Sequence, residues 1–163
     1  MGVHVRIQES DFDPGAEIEA MRTPTAGAVV SFIGQARGSS GGRVVESLFL
    51  EHYPGMTEAA LERIGAQAVA RWGLAEARIV HRVGVVPAGG RIVFAAASSA
   101  HRAQAFAACA FLVDHLKTDA PFWKQERGQG GAQWVEARGE DEAARDRWRD
   151  GAGGPGSEWG GGQ

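Results

Sequence analysis

Between Met56 and Trp72 the apolar residues Leu61, Ile64, Ala68 and Trp72 recur at spacings of three and four. That period predicts a helix of about 17 residues, entered through Pro54-Gly55 and ended by Gly73. Strand-like runs surround it. Val3, Val5 and Ile7 alternate with polar residues, 27–34 (GAVVSFIG) and 43–52 (RVVESLFLEH) are rich in β-branched and aromatic residues, and 77–86 (ARIVHRVGVV) and 91–97 (RIVFAAA) are joined by a Pro87-Ala-Gly-Gly turn. A short helix is expected over 14–22 and a second long one over 100–117, N-capped by Ser98 or Ser99 and burying Phe106, Cys109, Ala110, Val113 and Leu116. Pro121 stops it, and 122–127 with 133–138 read as a hairpin. Helices and strands mix without strict βαβ alternation, so the fold class is α+β.

Length and composition narrow the rest. The 163 residues suit one domain, expected over 1–150 with a last polar helix at 140–149. Residues 151–163 contain seven glycines and too little apolar surface to order themselves, so a disordered tail is expected. The longest strictly apolar run, 105–113, is about half a membrane span, and no export signal opens the chain. One cysteine, Cys109, allows neither an internal disulfide nor a multi-cysteine metal site, which fits a cytoplasmic protein. A formal charge of −3 gives no general field for nucleic acid, so any anion site is local. His52, His81 and His115 lack metal-ligand spacing, Cys109 falls on an apolar face, and Met56 and Trp72 are expected in the core.

Of the 17 basic residues 15 are Arg, and the two lysines, Lys117 and Lys124, lie seven positions apart across a proline turn. Guanidinium cannot supply a deprotonable amine, and ammonium can. If the two amines converge beside Phe122 and Trp123, repulsion and partial burial lower the pKa of one, favouring a nucleophile or general base. The alternative is that Lys117 only complements the negative end of its helix dipole.

A second constellation is 98–102 (SSAHR), where a strand runs into a helix N-terminus. Free backbone N–H groups with His101 and Arg102 make an anion site there, unless the turn is simply a capped helix start. A third is Arg37, in a polar glycine-rich loop over 35–42 expected to be mobile. Arg102 and Lys117 stand fifteen residues apart on one helix, about 22 Å at 1.5 Å per residue. One small ligand does not span that within a subunit, so either two sites exist or a symmetric dimer joins the ends.

Six segments in order, GAVVSFIGQARG, LEHYPGMTEAAL, IVHRVG, SSAHRAQAF, LKTDAPFWKQE and WVEAR, spread from Gly27 to Arg138. Together they resemble the catalytic, large-subunit family of molybdopterin synthase. The resemblance implies an α/β hammerhead-type fold and a homodimer within a heterotetramer. Its other partner is a small ubiquitin-like sulfur carrier ending in a Gly-Gly thiocarboxylate. The implied reaction moves two sulfurs to cyclic pyranopterin monophosphate, giving the dithiolene of molybdopterin without a cofactor. By the same resemblance Lys117 and Lys124 are catalytic, while Arg37, His101, Arg102, Gln125, Glu126 and Arg138 bind substrate. Gln35 departs from the family, which often carries Lys there, and the glycine-rich tail is not covered. A non-catalytic dimeric scaffold that binds the carrier or a phosphorylated ligand is the alternative reading.

Overall fold

The computed structural model describes residues 2–135 and 139–149, arranged as two sheets and four helices. The first sheet has the order β1 (Gly2–Gln8), β5 (Glu76–Arg82), β7 (Arg91–Ser99), β2 (Ala28–Gln35); β1 and β5 are parallel and the other pairs antiparallel. Helices α2 (Met56–Trp72) and α3 (Arg102–Asp119) cover one face of it. Alternation along β7 sorts the two cores: Ala95 and Ala97 face the helices, whereas Phe94 and Ala96 join Phe12, Met21 and Val80 on the other side. The small β7 side chains let α3 come close, and the Cys109 thiol reaches the Ala95 carbonyl at 3.5 Å. Burial pushes that thiol up to about 12, so Cys109 is packing and not a nucleophile.

The second sheet is antiparallel, in the order β3 (Ser39–Ser40), β4 (Arg43–His52), β8 (Phe122–Gly128), β9 (Gly131–Val135), with β6 (Gly84–Pro87) also on β4. Its inner face buries Val45, Leu48, Leu50 and Val86 against Ala36. Helix α1 (Pro14–Ala20) is N-capped by the Asp13 carboxylate, which accepts from Gly15 N at 2.9 Å. Helix α4 (Gly139–Asp146) lies on α3.

The 43–52 strand and the long helix fall where the sequence places them, with Leu61, Ile64 and Ala68 buried and Gly73 closing the helix in the left-handed region at φ 61°. Other expectations need correction. The stretch 77–86, expected as one strand, is two strands in two sheets: the chain breaks at Val83, and Gly84 adopts φ 80°, which carries β6 onto β4. The turn before β7 therefore joins different sheets. Helix α3 starts two residues later than expected, because Ser98 and Ser99 complete β7 and His101 takes the N-cap position without a side-chain cap bond. Phe106 is 39% exposed, and Phe111 and Leu112 take the buried positions instead. Met56 is not core either: as the first residue of α2 it is 63% exposed. The 35–42 segment is a hairpin in its second half, turning at Gly41 and Gly42 with φ of 57° and 79°. The tail, 151–163, and Arg138 lie outside the described residues.

Candidate active site

The sequence-predicted residues sit on four pieces of scaffold. Lys117 is exposed in the last turn of α3, and Lys124 is the third residue of β8, opposite Leu50 of β4 and Val135 of β9. The corner between them is fixed. Ala120 is extended (φ −85°, ψ 131°), as a residue before proline must be, and the Phe122 N–H donates to its carbonyl at 2.9 Å. Thr57, fully buried at the start of α2, donates its hydroxyl to the Pro121 carbonyl at 3.3 Å and accepts from Tyr53 N at 3.0 Å. A threonine 60 residues before Lys117 thus pins the turn that carries both amines, and nothing in its local sequence marks it.

His81 holds the same corner from beneath. Its ring stacks on Phe122 with centroids 3.8 Å apart, and Nδ1–H donates to the Arg82 carbonyl at 2.7 Å. Burial lowers its pKa to about 4; the carbonyl bond opposes that shift and nearby His52 adds to it. The imidazole is neutral at physiological pH and serves as a fixed wall.

Strand alternation divides the segment after Lys124. Glu126 shares the Lys124 face, opposite Leu48, and its carboxylate lies 4.0 Å from Arg43. Gln125 belongs to the other face, opposite Phe49 and Trp134, and accepts from Arg127 Nε at 2.7 Å. That outer face carries a groove of about 580 Å³ lined by Phe49, Glu51, Tyr53, Trp123 and Trp134, with Tyr53 and Trp123 edge to face at 4.7 Å. Alternation therefore puts the two residues that share the lysine segment on opposite sides of the sheet.

His101 and Arg102 stand exposed where β7 turns into α3. The turn is held by Gly27, whose N–H donates to the Ser99 carbonyl at 2.9 Å. Two buried polar atoms nearby in sequence, Ser98 Oγ and Gln104 Oε1, have no hydrogen-bond partner among the described residues. Arg37 is exposed and leaves from a fixed base: Ala36 donates to Gly90 O at 2.9 Å and accepts from Gly89 N at 2.7 Å. Gln35, the departure from the family, ends β2 opposite Arg91, just past a register shift. Among the described residues no three His, Cys, Asp or Glu side chains gather as metal ligands.

The structure thus brings Lys117 and Lys124 to one corner and leaves His101 and Arg102 at the opposite end of α3. The MoaE protein family model matches residues 7–119. The chain belongs to the MoaE family. A molybdopterin synthase catalytic subunit from Ralstonia nicotianae is 52% identical over 88% of this chain and 83% of its own length. That from Pseudomonas aeruginosa is 49% identical, covering 90% of this chain and 99% of its own. Among solved structures, the molybdopterin biosynthesis MoaE protein from Burkholderia ambifaria superposes with a TM-score of 0.77 at 47% identity, covering 90% of this chain and 97% of that one. The mixed α+β architecture of the described residues is that of the MoaE fold, as the sequence resemblance implied.

Proposed function

We propose that this chain is the catalytic subunit of a molybdopterin synthase, transferring two sulfurs to cyclic pyranopterin monophosphate, each from the C-terminal Gly-Gly thiocarboxylate of a small carrier that is left as the carboxylate. The observation that carries the reading is the corner at Pro121, where an arginine-rich chain fixes its only two lysines between a helix end and a strand. Its setting is the cytoplasm, in keeping with a single buried thiol.

Lys117 supplies an amine able to take up and return a proton, or to attack transiently, during sulfur addition. Lys124 offers a fixed positive charge to the thiocarboxylate or to the oxyanion that develops as sulfur leaves. His101 and Arg102, with Arg37, hold the substrate phosphate and pterin by charge-assisted hydrogen bonds at a helix N-terminus. Glu126 lines the Lys124 side of the sheet; Gln125 contributes from the other face through Arg127. Arg138 completes the substrate-binding set by family resemblance. The 22 Å between the ends of α3 makes the site a dimer property: one chain presents its lysines to substrate held by its partner's helix start.

The test is reconstitution with thiocarboxylated carrier and cyclic pyranopterin monophosphate, following the dithiolene by mass spectrometry. Wild type forms product, and Lys117→Ala and Lys117→Arg form at least about 100-fold less while remaining dimeric, since arginine keeps charge but not a titratable amine. Substantial turnover by either variant overturns the assignment of Lys117. A wild type that binds the carrier and makes no product selects the scaffold reading.

A further inference from the structure

Helix α4 and the turn after it are fastened to the end of α3 that carries Lys117. Asp114, three residues before Lys117, accepts from Arg147 Nη2 at 2.9 Å and from the Trp148 indole N–H at 2.8 Å. Trp148 is itself buried, edge to face with Trp72 and Phe111, and its carbonyl accepts from Arg71 at 2.9 Å. One turn further on, Arg145 pairs with Asp119 at 2.9 Å.

The spacing gives these contacts a chemical consequence. Residues three apart on a helix are side-chain neighbours, so Asp114 is the acid placed to pair with Lys117. A lysine paired with an adjacent carboxylate is held protonated and drawn along the helix away from an incoming substrate. Among the described residues Lys117 nevertheless has no ion pair, and the Asp114 carboxylate is turned toward Arg147 and Trp148, which both donate to its Oδ2. The other charged groups at this end of α3 are His115 and Asp119 on the helix, Arg145 and Asp146 on α4, Arg71 on α2 and Lys124 on β8. Asp119 is two positions from Lys117, on the opposite side of the helix, and is taken by Arg145.

We propose that Arg147 and Trp148 are positioning residues for Lys117: by holding Asp114 they keep the reacting amine unpaired and available to an incoming substrate. The inference rests on the functional reading of Lys117 but is testable without turnover. With two lysines in the chain, trace acetylation by acetic anhydride across pH 6–11, read by peptide mass spectrometry, gives the titration of Lys117 with Lys124 as internal reference. Removing the guanidinium by Arg147→Ala, at a half-exposed side chain, frees Asp114 and raises the Lys117 midpoint by about one unit. Arg147→Lys keeps the charge and stays near wild type. Adding Asp114→Asn to Arg147→Ala brings the midpoint back, because the freed acid is gone. In turnover, the pH dependence of kcat moves by the same amount for Arg147→Ala while KM for the pterin holds.

A Lys117 midpoint in Arg147→Ala within about 0.2 unit of wild type overturns the proposal, as does an equal shift of Lys124, which would mark a general loosening. Full turnover by Lys117→Ala overturns the functional reading alone, and the labelling result still decides whether Asp114 is sequestered.

Discussion

At the scale of single residues, burial sets the ionisation of His81. His81 sits under the lysine corner with its pKa lowered to about 4, against about 6.5 in an unfolded chain. The unfolded state therefore takes up a proton between those values that the folded state refuses. Stability attributable to His81 is complete above pH 6.5 and falls as pH drops toward 4, by about 3 kcal/mol at the limit. Replacing His81 with Phe keeps a ring against Phe122 and removes the titrating group. Urea unfolding at pH 7 and pH 4.5 is expected to show a smaller acid loss in His81→Phe than in wild type; equal losses would place the acid sensitivity elsewhere. Glu17 shows the opposite balance: its burial alone would raise its pKa, but contacts from Arg6 and Arg78 outweigh that and hold the carboxyl down. The lysines were legible because they are rare in this chain. Thr57, His81 and Asp114 were not, since each acts through a partner far along the chain or through burial.

At the scale of elements, the turn from β7 into α3 depends on a glycine with no left-handed conformation to justify it. A Cβ on Gly27 would lie 2.4 Å from the Ala100 carbonyl oxygen, a backbone atom that cannot move aside without shifting His101 and Arg102. Gly27→Ala is expected to destabilise the protein by about 1–3 kcal/mol, as overpacking does, and to raise KM for the pterin more than it lowers kcat. Thermal unfolding together with steady-state kinetics checks both; an unchanged KM would separate Gly27 from the substrate end of the helix. Elements with one exposed and one buried face, such as β4 and α2, were readable because their periods survive in the sequence. The split at Val83 and Gly84 was not, because β5 and β6 follow one another in a single β-branched-rich stretch and the positive φ of Gly84 is what separates them. The start of α3 was misplaced for a related reason: Ser98 and Ser99 have capping chemistry, but pairing with Val29 and Ala28 keeps them in the strand.

At the scale of the whole molecule, α3 is a rod with His101 and Arg102 at one end and Lys117 at the other, packed against a sheet partly through alanines. Its length was computable from the sequence, and that length, not any motif, exceeds what one small ligand spans within a chain. The partner's position was not legible, because a surface that closes only in an assembly carries no period of its own. A shared site has a quantitative signature. Arg102→Ala and Lys117→Ala each inactivate both sites of their own dimer. In a mixed dimer, one site receives both defects and the other receives neither. Random exchange at equal amounts makes half the dimers mixed, each with one intact site of two, so activity rises to about a quarter of wild type. Unfolding the two variants together and refolding them, with dithiolene formation as the readout, measures this directly. Activity no greater than the sum of the separate variants would place Arg102 and Lys117 in sites that do not cross the dimer, and the 22 Å between them would then separate two independent functions.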